Sequence, residues 1–252
     1  MSILLEAHQG VANEYPSNTL AAFKAAKELG YSMIELDTKF TKDNKCVILH
    51  DQTINRTGRN PDGSKIENEI KISDITLEEA RTYDFGISTG KKFAGEKIPT
   101  LEEVLDFAKN AQIPLKFDNV LWWSHTEEQR EILFSKIEES GADCGITCME
   151  VAQTSEVMKR LPNAAVHFDG TVTKDKLNEL AKIVPAEQLF VWMRFDNART
   201  SWNKTPPADE HYAALIKKCG RLGVWLLTTK EEAARAEELG AYIAETDGSL
   251  RP

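Results

Sequence analysis

Met33-Ile-Glu-Leu-Asp-Thr-Lys-Phe40 and, a few residues on, Lys45-Cys-Val-Ile-Leu-His-Asp51 decide how the chain is read. The first segment alternates, so Glu35 and Asp37 fall on one face of a strand while Ile34 and Leu36 fall on the other. Two carboxylates on an otherwise apolar strand are costly to bury unless something cationic sits between them. The second segment is an apolar run that stops at His50-Asp51. The linking Thr41-Lys-Asp-Asn44 is turn-prone and far too short for the crossover that parallel strands need, so the segments pair as an antiparallel hairpin. Centred on Asp43 and Asn44, that hairpin sets Phe40 opposite Lys45 and brings His50 alongside Glu35. An imidazole beside two carboxylates is how a metal-assisted acid/base site is built.

Regular alternation surrounds this hairpin. Besides the strand at Met33, strands are expected over 3–7, 113–120, 145–148, 164–168, 189–193, 223–227 and 242–245. Helices are expected over 19–29, 101–109, 127–139, 155–161, 175–183, 208–219 and 231–239, with Asn18 as the N-cap of the first and Gly30 as its stop. Eight strands separated by helices make an α/β fold, the (β/α)8 TIM barrel, with 45–50 as a hairpin arm outside the count. Residues 52–98 are polar, contain Arg59-Asn-Pro-Asp-Gly63 and carry a short helix over 76–83. They read as a small insertion after the second strand, inside a single domain spanning 1–252.

Composition bounds the function. A hydrophobic content of 41% over 252 residues supports one sizeable core, and a net charge of −9 argues against nucleic acid or an anionic membrane as partner. The four cysteines form no CxxC pair and read as reduced, buried thiols. No charged leader and no apolar stretch of bilayer length is present, so a cytoplasmic location is expected.

In a barrel of this kind the site lies at the C-terminal strand ends, and reactive residues collect there. His8 ends the first strand, Glu35 and Asp37 the second, and Asp118 stands near the end of the third, on the face shared by Lys116 and Val120. Three converging carboxylates suit a hard divalent cation, Mg²⁺ or Ca²⁺, better than zinc. Two histidines beside it, His8 and His50, supply acid/base chemistry for phosphodiester cleavage. Trp225 lies within the seventh strand, and Trp122-Trp123 follow Asp118, as core packing or as a wall for a ligand. His125, His167 and His211 are assigned to core or surface, with His167-Phe-Asp169, at the end of the fifth strand, leaving room for a minor substrate contact. Each residue alone has a plainer reading as a strand face, cap or core group; their agreement at several strand ends does not.

With these residues in view, the sequence resembles the glycerophosphodiester phosphodiesterase family. Ala7-His-Gln-Gly-Val-Ala-Asn-Glu-Tyr-Pro-Ser-Asn-Thr-Leu-Ala-Ala-Phe23 is similar to its His-Arg-Gly…Pro-Glu-Asn-Thr segment, and Ile34-Glu-Leu-Asp37 to its Glu-x-Asp strand. Val47-Ile-Leu-His-Asp-Gln-Thr-Ile-Asn-Arg-Thr57, Phe93-Ala-Gly-Glu-Lys-Ile-Pro-Thr-Leu-Glu-Glu-Val-Leu105 and Thr246-Asp247 resemble its His-Asp segment, the close of its insertion and its C-terminal Thr-Asp. The resemblance implies a barrel that splits glycerophosphodiesters into glycerol 3-phosphate and an alcohol, a role in lipid and glycerol metabolism. His8 and His50 would be the acid/base pair, and Glu35, Asp37 and Asp118 would hold the metal, Asp118 standing where the family usually has Glu. Gln9 and Val120 stand where the family has phosphate-facing Arg and Lys. Gln9, Lys116, Trp225 and Trp122 are therefore the expected substrate contacts, with Lys116 restoring one charge. Two alternatives accompany this reading: the same chemistry on another diester (a sugar-phosphate or lysophospholipid-like ester), or a non-catalytic barrel that binds a phosphoryl ligand.

Overall fold

The apolar stripes of the chain are satisfied by closing a parallel sheet on itself and covering its outside with helices. The computed structural model describes residues 3–195 and 204–252. In chain order the elements are β1 (Leu4–Ala7), α1 (Leu20–Glu28), β2 (Met33–Leu36), β3 (Thr38–Phe40), β4 (Cys46–Ile48) and α2 (Leu77–Ala80). They continue with α3 (Leu101–Ala111), β5 (Leu115–Phe117), α4 (Leu121–Ser124), α5 (Glu127–Ser140), β6 (Cys144–Cys148), α6 (Val151–Arg160) and β7 (Ala165–Phe168). The last are α7 (Lys174–Ile183), β8 (Leu189–Arg194), α8 (Glu210–Ile216), β9 (Arg221–Leu227), α9 (Lys230–Leu239) and β10 (Ile243–Thr246). Strands β1, β10, β9, β8, β7, β6, β5 and β2 form a closed barrel in that order, and β3 and β4 form a separate two-stranded sheet. This is the (β/α)8 architecture expected from the alternation.

Strand parity divides the core in two. Ile34 and Leu36 point outward and are fully buried under the helices, as are Leu115, Phe117, Ile146 and Val166. The inner faces carry Met33, Phe190, Trp192 and Ile243, which fill the barrel's lower part. The helices start where threonine can accept from the exposed backbone N–H groups of the first turn: Thr100, Thr126 and Thr229 each form a complete capping box. In α3 the buried residues Leu101, Val104, Leu105 and Ala108 recur at helical spacing and form the face laid on the sheet. No helix among the described residues is long and apolar enough to cross a membrane.

The hairpin differs from its expected form in two ways. The chain breaks at Asp37, so β2 belongs to the barrel while β3 begins the hairpin, and the register is shifted by one residue: Phe40 pairs with Cys46, not Lys45. The reason is a three-residue loop: Thr41 N–H donates to the Lys45 carbonyl (3.0 Å), Asn44 N–H returns to the Thr41 carbonyl, and Asn44 takes the left-handed φ of 59°. Asn18 is likewise not the cap of α1; Thr19 is, its hydroxyl accepting from Ala22 N–H. The polar segment after β4 has its own small apolar cluster, in which Ile54, Ile72 and Phe85 join Val47 of β4. Cys46, Cys144 and Cys148 are buried, and all four cysteines are free thiols.

Candidate active site

The C-terminal mouth of the barrel holds a cavity of about 350 Å³. His8 follows β1 and is fixed by its N–H donating to the Thr246 carbonyl at the end of β10 (2.9 Å). Its Nε2 lies 3.8 Å from Glu35 Oε2 and 3.9 Å from Glu245 Oε1, and among the described residues these three side chains form the one group able to converge on a cation. Asp37 and Asp118 line the same cavity. The structure thus brings together His8, His50, Glu35, Asp37 and Asp118, and adds Glu245, which sequence reasoning passed over in favour of the neighbouring Thr246-Asp247.

Asp37 is held from below. Its Oδ2 accepts from Gln9 Nε2 (3.0 Å) and Asn18 Nδ2 (2.9 Å), while Gln9 N–H donates to Glu35 Oε2 (3.0 Å). Gln9 and Asn18 both adopt left-handed backbone angles, φ 52° and 58°, which turns the β1–α1 loop back under the carboxylates. Gln9 is buried and does not line the cavity, so the substrate contact expected of it is corrected to an orienting contact on Asp37. Burial pushes the Glu35 carboxyl well above the usual range, and repulsion from Asp37, Glu245 and Asp118 adds to it. Burial and then Asp37 push Asp118 up to about 6. Buried Lys39, whose ammonium is pulled down by burial and pushed up by Asp37, Asp118 and Asp51, is the nearby cation that the sequence reading left unassigned.

Lys116 points into the barrel, yet its charge is committed. Its Nζ lies 2.5 Å from Glu6 Oε1 and 2.5 Å from Glu245 Oε2, and 3.9 Å above the Trp192 ring. The ion pair therefore holds the ammonium that the resemblance would direct at a phosphate, and in doing so aims Glu245 at His8. Two carboxylates facing one ammonium retain a proton, and it rests on the deeper one. Burial, helped by Glu245 and opposed by Lys116, pushes Glu6 up to about 8, whereas Lys116 and His8, acting against burial, hold Glu245 down to about 2. Because the folded-state value of Glu6 exceeds its ordinary 4.5, its contribution to stability is complete below pH 4.5 and is lost as pH rises through about 8. Glu6→Gln is expected to remove that decline. Denaturant unfolding in chelator should show it matching wild type near pH 5 and exceeding it above pH 8; parallel pH profiles would show that Glu6 carries no proton.

His50 follows β4 and is half exposed. Its Nδ1 lies 2.6 Å from Asp51 Oδ1, and Asp51 Oδ2 accepts from Arg56 Nε (2.6 Å). Although partial burial works to raise it, Arg56 and His50 hold the Asp51 carboxyl below the usual range. An ionised Asp51 keeps the proton on Nδ1 and leaves Nε2 to face a ligand. Trp225 lines the cavity, its indole N–H donating to Asp169 Oδ1 (3.1 Å). Trp122 does not: its N–H donates to the Thr147 carbonyl (2.7 Å) and its ring packs near Phe134, while the exposed Trp123 lines the cavity instead. The unforeseen helix α4 explains the exchange, because consecutive helical residues point about 100° apart.

Comparison with known proteins adds an independent line. A sequence profile of the glycerophosphoryl diester phosphodiesterase family matches residues 8–242. A glycerophosphodiester phosphodiesterase of Caldanaerobacter subterraneus is 46% identical over 119 residues, covering 45% of this chain and 46% of the relative. Human glycerophosphodiester phosphodiesterase 1 is 35% identical over 114 residues, 44% of this chain and 32% of the relative. The matched segments thus span 46% and 32% of these relatives' lengths, less than half of either. A phosphodiesterase of Oleispira antarctica, solved with the product sn-glycerol-3-phosphate, superimposes with a TM-score of 0.75 at 18% identity, over 98% of this chain and 93% of the other. A glycerophosphoryl diester phosphodiesterase structure from Silicibacter pomeroyi gives a TM-score of 0.77 at 17% identity, over 97% and 90%. At such identities these two establish the fold.

Proposed function

The chain belongs to the glycerophosphoryl diester phosphodiesterase family, and from that premise we propose that it hydrolyses glycerophosphodiesters to glycerol 3-phosphate and an alcohol, using a divalent cation and two histidines. The observation that carries this reading is the placement of His8 and His50 in one cavity with Glu35, Asp37, Asp118 and Glu245. The names of the relatives and the product held by the Oleispira protein point to the same substrate class.

The donor set fits a hard cation such as Mg²⁺ or Ca²⁺. It offers carboxylate oxygens, no thiolate, and a Glu35 carboxyl pushed well up by burial and by the negative charges around it, which a cation would relieve. When bound, the cation offsets the charge growing on the phosphoryl oxygens. Oxygen ligands suffice for such an ion, which leaves His8 Nε2 to move protons. One imidazole then accepts the proton of the attacking hydroxyl and the other protonates the leaving alkoxide. Asp51 Oδ1 engages His50 Nδ1 at 2.6 Å, and Glu35 and Glu245 oxygens lie 3.8 and 3.9 Å from His8 Nε2, so carboxylates flank both rings. Since Gln9 faces Asp37 and Val120 is apolar, neither supplies a phosphate-facing charge.

Product analysis tests the reading: ³¹P NMR of a glycerophosphocholine digest should show glycerol 3-phosphate, and phosphocholine alone or no product would overturn it. The orienting role of the β1–α1 loop has its own test. Gln9→Ala and Asn18→Ala each remove a donor from Asp37 and are expected to weaken cation binding about 10- to 100-fold, the usual effect of losing a partner behind a metal ligand. Calorimetric titration with Mg²⁺ reads this directly; wild-type affinity in both variants would take Asp37 out of the cation site.

A further inference from the structure

Apart from β10, each barrel strand leads, directly or after a longer connection, into a helix on the outside of the barrel; β10 leads into 247–252, which form none. That segment is tied down by the Tyr31 hydroxyl donating to the Leu250 carbonyl and by an ion pair between Arg251 and Glu14. Between it and α9 runs a groove of about 850 Å³ on the outer wall, away from the mouth. Ile3 and Leu5 give it an apolar floor, and Ala233 and Ala234 of α9 form one side. Ile3 and Ala233 are only half-buried and Ala234 is exposed, so apolar surface meets solvent here. Covering it is favourable.

The charges along α9 decide what fits. Lys230, Ala233, Ala234 and Glu237 all line the groove at the spacing of one helix face, which sets the two charges two turns and about 10 Å apart. Arg235, on another face, pairs with Glu210 and Glu238, whereas neither Lys230 nor Glu237 has a side-chain partner among the described residues. The pattern is its own complement. Turned about a two-fold axis crossing α9 between Ala233 and Ala234, a second copy of the helix runs antiparallel. Its Glu237 then meets Lys230, its Lys230 meets Glu237, and the alanines meet at the axis. Alanines at the crossing let two helices approach to about 8 Å. A parallel arrangement would set like charge against like.

We propose that this face of α9 and the groove beside it form a two-fold docking surface for a second copy of this chain. Each copy carries a net charge of −9, which opposes association at long range. Burial of the apolar floor and the alanines therefore supplies the attraction, and the two Lys230–Glu237 contacts select the register. The inference goes beyond the reaction proposed above and is independent of it, because none of these residues lines the cavity at the mouth.

Sedimentation velocity over a range of protein concentrations, in about 0.15 M salt, tests the surface. Wild type is expected to dimerise below about 0.1 mM, the weak end of specific association. Lys230→Glu or Glu237→Lys alone sets like charges in both contacts and is expected to raise the dimer Kd about 10- to 100-fold. The double variant Lys230→Glu/Glu237→Lys restores the match and should return Kd to near the wild-type value. Mixing the two single variants should do the same, as a heterodimer, because one then presents two acidic ends and the other two basic ends. A wild type that stays monomeric at about 0.1 mM overturns the proposal and leaves the groove to a different occupant. A dimer whose Kd ignores both single variants also overturns it, by placing the interface elsewhere. So does a double variant or a mixture that fails to recover, which would mean that the two charges do not face each other.

Discussion

His50→Ala is expected to lower kcat for glycerophosphodiester hydrolysis by about 10²- to 10⁴-fold, the usual contribution of a positioned acid/base group, while leaving cation affinity near wild type. The expectation follows from where His50 sits. It lines the cavity, its Nδ1 is engaged by Asp51 at 2.6 Å, and the Asp51–Arg56 contact fixes the carboxylate behind it. Among the described residues no hydrogen bond or ion pair joins it to the carboxylates proposed to hold the cation, so the ring can be removed without dismantling that cluster. Asp51→Asn should produce a smaller loss in kcat, because the amide no longer fixes the tautomer and orientation of the ring as the carboxylate does. A His50→Ala variant with wild-type kcat would leave the acid/base pairing with His8 without support.

Lys116→Met is expected to be the most destabilising single replacement in the barrel, by about 3–5 kcal/mol, because it strips the shared partner from two buried carboxylates. The thioether side chain fills much of the same space over Trp192, so the loss reports charge more than volume. Without the ammonium, both Glu6 and Glu245 hold protons more tightly folded than unfolded. Stability should accordingly recover toward pH 4.5, the ordinary carboxyl value, and fall as pH rises above it. Adding Glu6→Gln and Glu245→Gln to Lys116→Met should restore much of the stability, since a fully neutral trio leaves no unpaired charge. Unfolding curves at pH 5 and pH 8 check both statements; a single variant as stable as wild type at pH 8 would mean that the ion pair contributes little. Glu245→Gln alone should also weaken cation binding, which separates its contact with the site from its contact with Lys116.

Much of this architecture was legible in the sequence because the strands announce themselves by parity and spacing. Each of the eight predicted barrel strands is present, and the hairpin arm lies outside the barrel, because short apolar runs bounded by turns and helices admit few other arrangements. The placement of His8, Glu35, Asp37 and Asp118 in one cavity was legible because they stand at or just past barrel-strand ends, which converge at the mouth; His50 reaches the same cavity from the end of the hairpin arm. What escaped depends on side-chain direction. Asn18 looks like a cap and Gln9 like a substrate contact until the left-handed loop turns both onto Asp37. Glu6 and Glu245 lie inside short apolar strands, where neither shows that Lys116 stands between them across the barrel. Parity marked Lys116 as inward but could not name its partner. Trp122 and Trp123 exchange roles because a helical turn follows β5 at once, and only the geometry of α4 separates an inward ring from an outward one.

The central claim is that this cavity binds a cation and cleaves a glycerophosphodiester with it. The most direct measurement is enzymatic detection of glycerol 3-phosphate released from glycerophosphocholine and glycerophosphoethanolamine, in Mg²⁺, in Ca²⁺ and in EDTA, with His8→Ala alongside. The account predicts release that depends on a divalent cation, is abolished by chelation and falls by at least about 100-fold in His8→Ala. Release undiminished in EDTA, or equal in His8→Ala, would contradict it.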